Sequence, residues 1–103
     1  MRRIVRSRTS VEQLRELLDQ GARLFGFAVA QAKLARLNHV LENHLAHFPR
    51  TAGRDHRLGL HVYAISQTPF VVLYDFDDDE LRVYFVVHGR ANRQLLDRSA
   101  VTW

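Results

Sequence analysis

The chain has 103 residues, a formal net charge of +4 and 47% hydrophobic residues. This length suffices for one hydrophobic core and not for two, so we expect residues 1–103 to form one domain. The absence of cysteine excludes disulfide scaffolds, thiolate metal sites and cysteine nucleophiles. No apolar run reaches membrane-spanning length, and no apolar signal segment follows the N-terminal Met-Arg-Arg. We therefore expect a cytoplasmic protein without a membrane partner.

The N-terminal half predicts one strand and two helices. Residues 2–8 carry alternating arginines, which suit an exposed edge strand. Apolar residues then recur at helical spacing over residues 11–25, with Ser10 as the expected N-cap and Gln13 completing a capping box. A second helix is expected over residues 27–47. The connection between the helices is so short that they should form an antiparallel hairpin.

The C-terminal half predicts three strands. A polar stretch over residues 49–59 is expected to be irregular, and alternation predicts a strand over residues 60–66. Two runs rich in β-branched and aromatic residues, Phe70–Phe76 and residues 81–87, flank a short acidic link and predict an antiparallel hairpin. In the second run we expect four apolar side chains to share one face. These are Leu81, Val83, Phe85 and Val87.

The resulting order is strand, helix, helix, strand, strand, strand. It predicts an α+β fold in which a helical hairpin packs on a small, mainly antiparallel sheet. We expect Leu37, Leu41, Val72 and Val83 in the core.

Few residues suggest chemistry. Among the six histidines, His39 and His47 share a helix face with Asn43, but further ligands at metal spacing are missing. No phosphate-binding glycine loop, serine elbow or dinucleotide fingerprint is present, so we expect no metal and no cofactor. The polar residues near strand ends suit either a phosphodiester site, with histidine as acid or base, or an ordinary surface. They are Arg57, His61, His88, Arg90 and Arg93.

An ordered series of short motifs resembles a known family. The series comprises Phe25-Gly26-Phe27, Phe48-Pro49, Gly59-Leu60 and the closing run Val86-Val87-His88-Gly89-Arg90. It is similar to the RelE/ParE superfamily of bacterial toxins, and to its ParE branch in particular, over nearly the whole chain. The chain departs from the family pattern at Ala91 and His61, where members often have arginine.

The resemblance implies the toxin of a type II toxin–antitoxin system, in a hetero-oligomer with a small ParD-like antitoxin. The ParE branch implies that DNA gyrase is poisoned by binding, without catalysis. The RelE branch implies an alternative, a ribosome-dependent mRNA endoribonuclease, whose catalytic residues would be Arg57, His61, His88 and Arg90. A third possibility is an inactivated member that only binds a partner.

Candidate residues for binding the target or the antitoxin follow from charge and exposure. Arginines around the sheet would pair with an acidic antitoxin segment, and leucines on the first helix would anchor its apolar side. These residues are Arg50, Arg54, Arg57, Arg90, Arg93, Leu17 and Leu24.

Overall fold

The computed structural model describes residues 1–103 and shows two helices packed on one face of a five-stranded sheet. The helices are α1 (Arg8–Phe25) and α2 (Phe27–Val40). The strands are β1 (Arg3–Arg6), β2 (Gly53–Asp55), β3 (Leu60–Ala64), β4 (Phe70–Phe76) and β5 (Glu80–His88), in the spatial order β1-β5-β4-β3-β2. Only β1 and β5 pair in parallel. The predicted α+β fold with a helical hairpin on a mainly antiparallel sheet is confirmed.

Helix α1 begins earlier than predicted, because β1 turns directly into it. The Ser7 hydroxyl accepts the amide of Ser10 at 2.9 Å and donates to the carbonyl of Tyr84 at 2.8 Å. Ser7 is therefore the N-cap, and the predicted capping box of Ser10 and Gln13 is wrong. The Gln13 side chain instead accepts the amide of Val86 at 3.0 Å.

The two helices are joined by Gly26, whose φ of 97° is one that other residues rarely adopt. Helix α2 continues into a π-helical turn at Leu41–Leu45, in which the amide of Ala46 donates to the carbonyl of Leu41 at 3.0 Å. The helical segment ends shortly before the predicted residue 47. The wider turn lets Leu41, Leu45 and Ala46 all be fully buried.

The main core lies between the helices and the sheet. Strand β4 is central and buried over Phe70 to Tyr74, as its continuous apolar run predicted. The four predicted core residues are buried, each at most 1% exposed, and this prediction is confirmed. They are Leu37, Leu41, Val72 and Val83.

Strand β5 contains a bulge that the alternation pattern did not reveal. Two consecutive residues of β4 pair with Phe85 and Val83, so Tyr84 has no partner. One extra residue reverses the faces that the following side chains occupy. Leu81 and Val83 therefore pack with the helices, whereas Phe85 and Val87 pack on the opposite face. The prediction that all four share one face is wrong.

The opposite face of the sheet is covered by the last residues of the chain. It carries a second apolar cluster of Leu58, Leu60, Val71, Leu73, Phe85 and Val87. Leu96 and Val101 pack on this cluster, and each directly follows a short 3₁₀ turn, at Arg93–Leu95 and Arg98–Ala100 respectively. The carbonyl of Thr102 then accepts the amide of Arg8 at 2.8 Å, at the start of α1. We call residues 96–103 the C-terminal strap.

The segment predicted to be irregular is partly ordered. Residues Pro49–Thr51 form a 3₁₀ turn, and β2 adds a fifth strand beside β3. None of the helices combines the length and the apolar character needed to cross a membrane.

Candidate interaction surfaces

Large apolar side chains lie in solvent where the two helices connect. Leu24, Phe25, Phe27 and Val29 are 74%, 63%, 72% and 42% exposed. A contiguous patch of large exposed apolar side chains is more often found at a binding surface than on the rest of a protein. We call these four residues the hairpin-tip surface.

A cavity of about 140 Å³ opens beside the hairpin-tip surface, between the helices and the ends of β4 and β5. Leu17 and Leu24, the two predicted apolar anchors, both line it. Its polar lining includes Lys33 and His88, and the Lys33 ammonium lies 5.1 Å from the centre of the Phe25 ring. The cavity therefore combines an apolar interior with a cationic edge.

The end of β5 extends this cationic edge. The amide of Arg90 donates to Nδ1 of His88 at 3.0 Å, and the Arg90 side chain makes no ion pair. Both residues line a wider opening together with Lys33 and Phe25. The structure thus places His88 and Arg90 beside the hairpin tip.

The outer edge of β5 near this cavity has no neighbouring strand. β1 pairs only with the first part of β5, from Glu80 to Val83. Beyond that point, the Gln13 side chain accepts a hydrogen bond from the amide of Val86. A shallow groove between α1 and β5 follows this edge, with Leu17 on one side and His88 on the other.

Backbone geometry leaves the amide of His88 unpaired at this edge, while the His88 carbonyl accepts the amide of Ala91 at 2.9 Å. Phe70 lies opposite His88 on β4, but its amide donates to the Thr68 hydroxyl and its carbonyl accepts the amide of Ile65. Phe70 and His88 therefore exchange no hydrogen bonds, and the amide of His88 points away from β4. An extended peptide could pair with it.

Arg57 and Arg93 lie together at another corner, beside the C-terminal strap. The Arg57 guanidinium donates to the carbonyls of Arg93 at 2.5 Å and Leu96 at 2.8 Å. Nε of Arg93 lies 3.7 Å from the Asp55 carboxylate. Both guanidinium groups are thus already engaged within the chain.

Arg50 and Arg54 lie at a third place, around Phe76 and His61. The guanidinium carbons of Arg2 and Arg50 lie 5.2 and 5.3 Å from the ring centre, and the His61 ring centre lies 5.0 Å from it. Arg54 is the cross-strand neighbour of His61. Burial, and then the charges of Arg54 and Arg50, lower the pKa of His61. We call these five residues the Phe76 cluster.

The residues of the alternative catalytic set do not converge. His61 and His88 pair with residues of β4 that are four positions apart, which separates them by about 13 Å along the strands. Arg57 is bound to the strap on the opposite face of the sheet. The structure also brings no three histidine, aspartate or glutamate side chains together as potential metal ligands.

The strap contains a structurally important residue that sequence reasoning missed. Arg98 donates to the carbonyl of Leu58 at 3.0 Å and to the Tyr84 hydroxyl at 3.1 Å, and its guanidinium carbon lies 4.7 Å from the Tyr84 ring centre. The Trp103 ring meets the same tyrosine edge-on at 4.8 Å. The apolar residues Leu96, Val101 and Trp103, spaced among mostly polar ones, were the available signal that this tail is packed.

Comparisons with protein families and with curated proteins find no match. Among solved structures, the chain is similar to a chain of the chromosomal ParDE toxin–antitoxin system from P. aeruginosa, with a TM-score of 0.73 and 17% sequence identity. The similarity covers 85% of this chain and 96% of that chain. At this identity the similarity establishes the fold. The chain therefore has the fold found in a ParDE toxin–antitoxin system, which is the fold that its resemblance to the RelE/ParE superfamily implied.

Proposed function

We propose that this chain is the toxin of a type II toxin–antitoxin pair, neutralised in the cytoplasm by a small ParD-like antitoxin. The fold shared with a chain of the ParDE system supports this proposal. The observation that carries it is the exposed hairpin tip, which lies next to the part of β5 that has no neighbouring strand. Monomeric proteins rarely expose both a large apolar patch and an uncovered strand edge to solvent.

The chemistry of this surface specifies the antitoxin segment. Helix-in-groove docking and strand addition are two recurrent modes of peptide recognition, and the hairpin tip and the β5 edge offer one of each. Lys33 and Arg90 line the opening between the hairpin tip and the end of β5, and they make no ion pair. The segment is therefore apolar on one side and acidic on the other.

The toxin acts by binding and poisoning DNA gyrase. This target follows from the sequence resemblance to the ParE branch, and it requires binding without catalysis. The geometry fits that requirement, because His61 and His88 are about 13 Å apart along the strands and the Arg57 guanidinium is bound to the Leu96 carbonyl. The four residues named for the mRNA endoribonuclease alternative are not all close together in this arrangement.

Two assays on the purified protein test the target. In the first, gyrase, ATP and supercoiled plasmid are incubated with the toxin, and gyrase-trapped cleaved DNA is measured after detergent treatment. In the second, ribosomes programmed with a defined mRNA are incubated with the toxin, and cleavage is mapped by primer extension. We expect trapped DNA in the first and intact mRNA in the second. Cleaved mRNA without trapped DNA would establish the endoribonuclease, and no effect in either would favour an inactivated member.

The variant Leu24→Ser separates antitoxin binding from folding. Leu24 is exposed, so its loss leaves the fold intact, while a leucine buried at an interface contributes about 1.5–3 kcal/mol to binding. We expect the affinity for the cognate antitoxin to fall by about 10- to 100-fold, measured by calorimetry. Val11→Ser is the matched control, since Val11 is also exposed but lies at the other end of α1. Equal losses for both variants would refute the hairpin-tip site.

A further inference from the structure

The cavity between the helices and the ends of β4 and β5 has the size of one aromatic ring. Its volume is about 140 Å³, and its apolar walls include Leu17, Leu18, Ala30 and Phe70. A cavity of about 150 Å³ with walls of leucine, isoleucine and phenylalanine takes up benzene in another protein. The interior of this cavity can therefore bury one ring.

Gly21 keeps one wall of this cavity free of a side chain. It lines the cavity from the interior of α1, where glycine is destabilising relative to alanine. Its φ is not positive, so the backbone does not require glycine there. Packing does not require it either, since an added Cβ would have the Cβ of Ala30 as its nearest neighbour, at 4.0 Å. The glycine thus lowers helix stability and leaves space in the cavity.

The cavity continues into a wider opening that carries positive charge. Phe25, Lys33, Pro69 and His88 line both spaces, and Arg90 lines the opening. None of the residues that line either space is acidic, and neither Lys33 nor Arg90 makes an ion pair. A carboxylate at the mouth of the cavity would be complementary in charge to these side chains.

His88 adds a hydrogen-bond donor at the same mouth. Its Nδ1 accepts the amide of Arg90 at 3.0 Å, so the proton of the neutral ring lies on Nε2. The carboxylate of Glu16 lines the neighbouring groove between α1 and β5, which His88 also borders, but it forms no ion pair with the ring. Nε2 therefore remains able to donate to an anion.

The rim of the opening is fixed by hydrogen bonds. The Thr68 hydroxyl donates to the carbonyl of Ile65 at 2.9 Å and accepts the amide of Phe70 at 3.0 Å. The amide of Gly89 donates to the carbonyl of Pro69 at 2.8 Å. A site whose walls are already ordered loses less conformational entropy when a ligand binds.

We propose that this cavity binds a small aromatic carboxylate, with the ring in the apolar interior and the carboxylate beside Lys33 and His88. The walls come from both helices and from the ends of two strands, so this chain alone encloses a molecule of that size. The site binds and does no chemistry. It needs no antitoxin and no gyrase, so it does not depend on the proposed toxin function.

An NMR titration of the purified full chain with phenylacetate tests this site. Phenylethanol carries the ring without the charge, and acetate carries the charge without the ring. We expect phenylacetate to bind with a Kd of about 1 mM or lower and to shift the resonances of Gly21 and Lys33. Phenylethanol and acetate should each bind at least about 5-fold more weakly.

Three results of this titration would overturn the proposal. Equal binding of phenylethanol would show that the cationic mouth is not used, and equal binding of acetate would show that the cavity is not used. Absence of phenylacetate binding to a chain that binds its antitoxin would assign the cavity to the antitoxin alone.

Variants on two sides of the cavity locate the ligand. Gly21→Ala should raise Tm, yet weaken phenylacetate binding by at least about 5-fold because the added methyl group takes up space. Lys33→Gln should weaken binding by a similar factor, whereas Lys33→Arg should keep it within about 3-fold. Arg23→Gln is the control, since this exposed cation at the same end of α1 lines neither space and makes no ion pair. Unchanged affinity of the Gly21 variant, or equal losses for Arg23→Gln and Lys33→Gln, would contradict the proposal.

Amine chemistry gives a second readout, because Lys33 is the only lysine in the chain. Reductive methylation of the free chain should modify Lys33 and the N-terminal amine of Met1. Saturating phenylacetate should slow the modification of Lys33 and leave that of Met1, which is 85% exposed, unchanged. Equal rates at Lys33 with and without phenylacetate would place the ligand elsewhere and overturn the proposal.

Discussion

At the scale of single residues, stability depends on side chains between the helices and the sheet. Leu37 and Leu41 have no exposed area, and both follow from the helical spacing of apolar residues. Periodicity could not identify the cap of α1, because Ser7 and Ser10 are equally good capping residues. The choice depends on where β1 ends, which is set by its pairing with β5.

Leu41→Ala should lower the free energy of unfolding by about 2–4 kcal/mol, because it leaves a cavity in the core. Leu24→Ala, at an exposed position on α1, should change it by less than about 0.5 kcal/mol. Urea denaturation measures both values. Similar losses for the two variants would mean that the hairpin tip is packed in solution.

The acidic hairpin turn makes stability dependent on pH. The Asp77 carboxylate accepts hydrogen bonds from Arg82 and from the amides of Asp79 and Glu80, each at 2.8 Å. These bonds, that of Arg82 above all, lower the pKa of Asp77 to about 2. Since an aspartate in the unfolded chain has a pKa of about 3.9, this contribution is complete above that pH and is lost as the pH falls through 2.

We therefore expect the Asp77→Asn variant to have a lower Tm than the wild type at pH 6. Between about pH 4 and pH 2, the Tm of the variant should fall by less than that of the wild type. Thermal melts across this range measure the difference. Asp78→Asn is the control, because that exposed carboxylate makes no ion pair. A variant at position 77 with the wild-type pH profile would show that the turn is not held by its carboxylate.

At the scale of elements, prediction succeeded where local pattern decides the structure. The hairpin of β4 and β5 and the helical pair follow from a change in apolar period near residue 49. β2 did not follow, since Gly-Arg-Asp has no intrinsic strand preference and is extended because β3 offers it an edge. The bulge at Tyr84 could not be predicted either, because inserting one residue does not change the apolar character of the strand.

The C-terminal strap is the element whose packing the sequence did not predict. Arg98→Ala should lower the free energy of unfolding by about 1 kcal/mol, a modest value because the side chain is 40% exposed. Arg15→Ala, an exposed arginine outside all ion pairs, should have no measurable effect. Urea denaturation measures both. An unchanged stability for the Arg98 variant would show that the strap is held by its apolar residues alone.

At the scale of the whole molecule, the residues predicted for one binding face are divided among three places. Arg90 and the two leucines line the openings beside the hairpin tip, Arg57 and Arg93 lie at the strap, and Arg50 and Arg54 lie around Phe76 and His61. Sequence spacing could place the arginines near strand ends and the leucines on the first helix. It could not show which ends lie together or that the strap covers one face of the sheet, since both depend on long-range packing.

The central claim is that the chain is a toxin controlled by an antitoxin, and growth under regulated expression tests it most directly. The wild-type chain is expressed alone and together with the small reading frame adjacent to its gene, and viable cells are counted. The destabilised variant Leu41→Ala serves as the control for the burden of expression. We predict that the wild-type chain alone stops growth, and that coexpression restores growth and yields a complex that copurifies. Normal growth with the wild-type chain alone, together with no complex, would contradict the account.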